Sequence, residues 1–142
     1  MANRTFVDSN YFISLYNTGD SNHKKADAFS SKIIKSGISE VISNYVFSEI
    51  VTVTSQKVSK TAGLLIGNRL RGQKGLTIIH IDQKLHDATW EIFKKVNSKN
   101  ISFVDCSILA VMGESGIKQL LTFDSSDFGP LCKEFGFSLI GS

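Results

Sequence analysis

Four acidic residues stand where a carboxylate is costly unless something compensates it. Asp8 follows the apolar pair Phe6-Val7, and Glu49 is flanked by Phe47, Ile50 and Val51. Asp105 lies among Phe103, Val104, Cys106 and Ile108, and Asp124 follows Leu120-Leu121-Thr122-Phe123. Each has an ordinary explanation. Asp8 can cap the helix after it, Asp105 can face the positive end of a helix dipole, Asp124 can open a turn, and Glu49 can sit on a solvated helix face. Their surroundings argue for more. A carboxylate beside buried surface calls for a partner. The nearest basic residue in sequence to Glu49 is Lys57, and to Asp105 it is Lys99. Acids of this kind, gathered from distant segments, would repel one another. A hard divalent cation resolves that repulsion, and oxygen-only ligands favour Mg²⁺ or Mn²⁺.

The elements that must position these acids alternate between strand-like and helix-like stretches along the whole chain, which points to one α/β domain. Thr5-Phe6-Val7 reads as a strand ending at Asp8-Ser9-Asn10, and Tyr11 to Tyr16 as a short helix. After a polar loop, His23 to Ser36 reads as a helix with Ala26, Phe29 and Ile33 on one face and Gly37 closing it. Val41-Ile42 is a short strand, and Ser43-Asn44 can cap a helix over about Tyr45 to Val58. Its β-branched run Val51-Thr52-Val53-Thr54 pulls instead toward strand. Ser59 to Leu70 reads as another helix with Leu64, Leu65 and Ile66 as its apolar residues, and Gly72 and Gly75 bound a loop. Leu76 to Ile81 is a strand. Asp82 caps a helix whose Leu85, Ala88, Thr89, Ile92, Phe93 and Val96 have the spacing of a buried stripe. Ser102 to Ser115 is a helix ended by Gly116, Gln119 to Phe123 a strand, and Asp124-Ser125-Ser126-Asp127 a turn. A short helix around Leu131 to Phe135 and a strand over Phe137 to Ile140 complete the pattern. Strands separated by helices imply a mainly parallel sheet, and ligands of such sheets bind beyond the carboxyl ends of the strands. Asp8 and Asp124 both fall there.

Composition sets the outer limits. A chain of 142 residues is one domain by length, and 42 % hydrophobic with 20 % charged residues is globular rather than disordered. A net charge of +3 permits a polyanionic partner without requiring one. Cys106 and Cys132 lack the spacing of a zinc site and read as two reduced thiols. No apolar run reaches the ~18 residues of a membrane span. The stretch from Arg4 to Asp8 is too short for a signal-peptide core, so the expected location is the cytoplasm. Lys24, Lys25, Lys57, Lys60, Arg69, Arg71 and Lys74 are candidate phosphate contacts, with Arg69, Arg71 and Lys74 forming the best local patch; a merely solvated face is the alternative. His23, His80 and His86 are scattered and read as surface or packing residues, and Trp90 lies beside the expected buried face of its helix.

Four segments together carry a resemblance. Phe6-Val7-Asp8-Ser9-Asn10, the stretch from Ile42 to Ile50 around Glu49, Phe103-Val104-Asp105-Cys106-Ser107-Ile108-Leu109-Ala110, and the stretch from Leu120 to Phe128 resemble, in order, the acid-bearing segments of the PIN-domain family. Within it the chain is most similar to VapC-type toxins of toxin–antitoxin pairs, and His23-Lys24-Lys25-Ala26 resembles an early-helix pattern of those toxins. The resemblance spans nearly the whole chain. It implies a three-layer α/β/α domain over 1–142 with a mainly parallel central sheet. It implies a Mg²⁺- or Mn²⁺-dependent endoribonuclease whose acidic quartet is Asp8, Glu49, Asp105 and Asp124, leaving 5′-phosphate and 3′-hydroxyl ends. Asp8 and Asp105 are then the expected direct ligands. Glu49 and Asp124 act directly, through waters, or on a second ion, while Ser9, Asn10 and Thr122 aim the carboxylates. Asp127 competes with Asp124 for the fourth place; Asp124 is favoured because it follows Thr122 by two residues. Expected partners are an RNA substrate, an antitoxin protein and a second copy in a homodimer. The alternatives are a PIN-like module that binds RNA or protein without cutting, and a housekeeping RNA-processing nuclease. A dehalogenase-like phosphatase fits less well, because Asp8-Ser9-Asn10 lacks the second acid of an Asp-x-Asp pattern.

Overall fold

The computed structural model describes residues 3–141. Its strands are β1 (Arg4–Val7), β2 (Ser39–Ser43), β3 (Leu76–Ile79), β4 (Gln119–Leu121) and β5 (Ser138–Ile140). They form one sheet in the order β3-β2-β1-β4-β5 with every neighbouring pair parallel. The helices are α1 (Ser9–Leu15), α2 (His23–Ser36), α3 (Asn44–Lys57), α4 (Lys60–Gly72), α5 (Gln83–Lys95), α6 (Phe103–Ser115), α7 (Ser125–Phe128) and α8 (Cys132–Phe135). Among the described residues no helix is long and apolar enough to cross a membrane.

The order of the strands decides where a ligand can sit. β1 is central: Phe6 is in register with Val41 of β2 on one side and Leu120 of β4 on the other. Both faces of β1 are covered, so Phe6 and Val7 are fully buried, as are Leu120 and Leu121. From β1 the chain winds outward through β2 and β3, then crosses back to β4 and winds the other way. The crevice between the carboxyl ends of β1 and β4 is therefore the topological switch point.

The helix starts follow the chemistry of their caps. The side chains of Ser43, Ser59, Asp82 and Ser102 accept hydrogen bonds from Val46 N, Ala62 N, Leu85 N and Asp105 N. Gly37 and Gly116 end α2 and α6 in the left-handed conformation. The β-branched run in α3 stays helical through Lys57, because Val46, Ile50 and Thr54 of this helix are buried. Tertiary burial outweighs local preference there.

Two apolar expectations are corrected. On α4 only Ile66 of the three named residues is buried; Leu64 and Leu65 are 58 % and 66 % exposed. The face that meets α3 is built on glycine instead. A Cβ at Gly63 would lie 1.9 Å from Ser55 Oγ, and one at Gly67 would touch Val51. On α5 only Thr89 is fully buried, Leu85, Ile92 and Val96 are partly covered, and Ala88 and Phe93 are exposed. Strands β3, β4 and β5 are shorter than the sequence pattern suggests, and Ser125–Phe128 forms a helical turn where a plain turn is expected.

Candidate active site

The switch-point crevice is held together by Thr122. Asp8 N donates to Leu121 O at 2.9 Å, which carries the β1–β4 ladder one residue past the strand. Thr122 Oγ1 then donates to Asp8 Oδ2 at 2.8 Å. The same hydroxyl accepts from Asn10 Nδ2 at 3.2 Å and from Asp124 N at 3.0 Å. Its single proton and both acceptor positions are thus in use. Asn10 Oδ1 accepts from Phe123 N at 3.2 Å, and Asp8 Oδ1 accepts from Ser9 N at 2.7 Å. A small hydroxyl residue and an amide two residues after the first acid suffice to lock the ends of two strands into one cradle.

The other acids arrive from three elements. Glu49 lies on the second turn of α3 and accepts a hydrogen bond from the Ser9 hydroxyl. Asp105 sits in the first turn of α6, where it forms a capping box with Ser102: Asp105 Oδ2 accepts from Ser102 N at 2.9 Å and Asp105 N donates to Ser102 Oγ at 3.0 Å. Asp124 caps α7, accepting from Ser126 Oγ at 3.2 Å and Asp127 N at 3.4 Å.

These groups share one electrostatic field. Burial pushes the Asp8 carboxyl up to about 7; the Thr122 and Ser9 hydrogen bonds pull it back, while the charges of Asp105 and Glu49 push it further. Burial also raises Asp105, against its Ser102 hydrogen bonds, and Glu49 and Asp124 add to that rise. The ion pairs among the described residues are Lys84–Glu114 and Lys94–Glu91, and none of the four acids takes part in one. An all-oxygen, mutually repelling donor set without a basic partner, with Asp8 buried and Glu49, Asp105 and Asp124 partly so, fits a hard divalent cation. Three side chains do not yet stand in ligating positions among the described residues. Asp105 and Asp124 are turned toward their own helix caps, so gathering an ion means rotating carboxylates whose charges already act on one another.

The basic candidates divide. Arg69, Arg71 and Lys74 lie on the last turn of α4 and the loop after it, and Arg69 and Lys74 border a cavity with Glu40, which starts β2. That is the amino end of the strands, away from the acids. Lys25 instead lies over the Phe123 ring at 4.9 Å, one residue from both Thr122 and Asp124. Basic clustering in the sequence does not say which end of the sheet a segment reaches; Lys25 gives only the weaker signal of opening a helix. Cys106 and Cys132 are free thiols, with Cys106 buried behind Asp105 and pushed up to about 11 by that burial.

A parallel sheet with acids gathered at its switch point defines an α/β protein with a polyacidic cleft, and comparison places it more closely. The family model described as PIN domain matches residues 5–129, and the chain belongs to that family. The 23S rRNA-specific endonuclease VapC20 of Mycobacterium tuberculosis is 26 % identical over 122 residues, covering 84 % of this chain and 88 % of the relative. The crystal structure of M. tuberculosis VapC20, a sarcin-ricin loop cleaving toxin, superposes with a TM-score of 0.79 over 94 % of this chain and 96 % of that one, at 26 % identity. FitAcB from Neisseria gonorrhoeae shares the fold at a TM-score of 0.67 and 14 % identity, covering 96 % of each chain. VapBC2 from Rickettsia felis, solved bound to a promoter DNA fragment, does so at 0.67 and 16 %, covering 96 % of this chain and 97 % of that one.

Proposed function

We propose that this chain is a metal-dependent endoribonuclease and the toxin of a toxin–antitoxin pair. The observation that carries the reading is the uncompensated convergence of Asp8, Glu49, Asp105 and Asp124 on the switch point of a PIN domain. The likeness to VapC20, a 23S rRNA-specific endonuclease, makes RNA the substrate class. Asp8, Glu49, Asp105 and Asp124 would hold Mg²⁺ or Mn²⁺, which supplies positive charge to the phosphate and acidity to the attacking water. The chain's own groups do the rest. Thr122, Ser9 and Asn10 hold Asp8 and Glu49 by hydrogen bonds, and Lys25, over the Phe123 ring, offers a cation to the RNA backbone. Hydrolysis breaks the P–O3′ bond, leaving a 5′-phosphate and a 3′-hydroxyl.

The same negative crevice suits inhibition by an antitoxin that places an Arg or Lys among the carboxylates. We place the protein in the cytoplasm, acting as a homodimer. The purified protein should cut ribosomal RNA in Mg²⁺ or Mn²⁺ and stop in EDTA; cleavage that survives thorough chelation removes the metal. Expression alone should arrest growth of the host, and Asp8→Asn should not. Harmless expression of active enzyme without an antitoxin leaves a housekeeping nuclease. The capping role of Asp105 favours a second reading, a module that binds without cutting. Mn²⁺ titration of the purified protein separates the two: binding to wild type that Asp105→Asn abolishes supports the nuclease.

A further inference from the structure

We infer that a cleft beside the acids, lined by the hydrogen-bonded pair Tyr45 and His86, seats an unstacked base of the RNA and so selects where the chain is cut; this rests on the ribonuclease reading above. The cleft holds about 290 Å³ and is lined by Tyr45, His80, Ile81, Asp82, Gln83 and His86. It opens at the carboxyl ends of β2 and β3, since Tyr45 comes two residues after β2 and His80 directly after β3. It therefore shares the edge of the sheet that carries the acids. Tyr45 precedes Glu49 by one helical turn on α3, and Phe103, against which the His86 ring packs at 5.3 Å, precedes Asp105 by two residues on α6.

Its walls have the two features that hold a single-stranded base: flat rings to stack on and hydrogen-bonding groups for the base edge. Tyr45 Oη and His86 Nδ1 lie 2.7 Å apart, with their rings edge to face at 6.2 Å. His80 Nδ1 is 3.2 Å from Asn44 Nδ2, and Asn44 Oδ1 accepts from Ile81 N, which fixes the His80 side of the cleft. The aromatic surface continues outward from His86 through Phe103 and Phe93 to Trp90, with centroid separations of 5.3, 5.8 and 5.9 Å. Trp90 and Phe93 remain 50 % and 39 % exposed. Asp82 is the single acid among the lining residues, and its carboxylate caps α5 by accepting from Leu85 N, where the positive end of the helix dipole partly offsets its charge.

The test uses a synthetic RNA hairpin carrying the cut site that the wild type makes in ribosomal RNA, with each nucleotide next to the cut replaced in turn by an abasic one. The wild type should lose about tenfold in kcat/KM at one such position. His86→Ala should lose about tenfold on the intact hairpin and be indifferent to that replacement. His86→Phe, which keeps a ring to stack on, should recover most of the activity. Wild-type cleavage by His86→Ala, a full abasic penalty in that variant, or failure of His86→Phe to rescue overturns the inference. So does a fall in sedimenting mass that accounts for the loss, which would assign this surface to a second copy of the chain. Those results leave the ribonuclease reading standing; a wild type that cuts no RNA removes both.

Discussion

Asp8 and Glu40 are both buried acids at ends of strands in one sheet, and they differ in everything else. Both carboxyls are pushed up, first of all by burial. Glu40 stands at the start of β2 with a neutral partner: Gln73 Nε2 donates to it at 2.9 Å. Asp8 stands at the end of β1 with Asp105 and Glu49 adding to its rise, and with Thr122 and Ser9 holding its oxygens. The cavity at Glu40 is walled by Tyr11, Phe12, Ile33 and Arg69, a mixed lining without another acid. Desolvation alone marks a tolerated polar group in a groove. Desolvation with like charges converging on it marks a site prepared for a cation.

The largest effect should separate these two directly. Asp8→Asn should lower RNA cleavage by about a thousandfold or more, the several kcal/mol at stake in metal-assisted hydrolysis. Glu40→Gln, which keeps the acceptor for Gln73, should cleave within about twofold of wild type, since surface-remote neutral swaps cost little in transition-state binding. Single-turnover cleavage of ribosomal RNA measures both. Equal losses in the two variants would erase the distinction between the two ends of the sheet.

The acidic end was legible in the sequence because each acid there adjoins an apolar segment, and Glu49 and Asp105 do so without a local cation. Asp8 and Asp124 were also placed by topology alone, since alternating strands and helices put the residue after each strand on one edge. The Thr122 hub was legible only as a small polar residue two before Asp124; of the three hydrogen bonds of its hydroxyl, those with Asp8 and Asn10 depend on β1 and β4 being neighbours. Other parts were not readable. The 3.6-residue stripe of α5 has the same period whether the face is buried or left open, and here much of it is open. Leu64 and Leu65 drew attention by hydrophobicity, while the packing face of α4 lies in Gly63 and Gly67, spaced four apart and without side chains to announce it. His80 and His86 looked scattered because Tyr45, their neighbour in the cleft, is more than thirty residues away in sequence.

The next effects sharpen the acidic end internally. Thr122→Val removes the hydroxyl that donates to Asp8 and accepts from Asp124 N. Cleavage should fall by about 10–100-fold, the usual cost of losing a group that orients a ligand. Because that hydrogen bond lowers the pKa of Asp8, the rising limb of the pH–rate profile should also move to higher pH when it is lost. A loss of rate with an unmoved profile would make Thr122 a packing residue only. Asp124→Asn should cost about tenfold and Asp127→Asn less, because Asp124 shares the field of Asp105 whereas Asp127 is raised chiefly by its hydrogen bond with Asp124. The reverse order would transfer the fourth acidic place to Asp127.

The smallest effect is on stability, and it divides the two ends by the size of their response to metal. A folded-state value of about 7 for Asp8, against 3.8 for the free group, means the metal-free folded protein holds a proton that the unfolded chain gives up between those values. Stability contributed by this group therefore falls as pH rises from about 4 to 7 and is level beyond. Asn at position 8 carries no charge, so Asp8→Asn should stabilise metal-free protein at pH 8 by on the order of 2 kcal/mol, once weakened hydrogen bonds are set against the relieved desolvation, and by little at pH 3. Glu40→Gln should shift stability in the same direction, because burial raises Glu40 as well. Mg²⁺ or Mn²⁺ then splits the pair. At a hundredfold excess over Kd, wild type and Glu40→Gln should each gain about 2.7 kcal/mol by mass action. Asp8→Asn should gain almost nothing, and the wild-type gain should grow with pH up to about 7 as the proton on Asp8 ceases to compete with the ion. Urea unfolding at pH 3 and pH 8, with and without the ion, measures all of it. A metal-dependent gain in Asp8→Asn equal to that of wild type would take Asp8 out of the metal site.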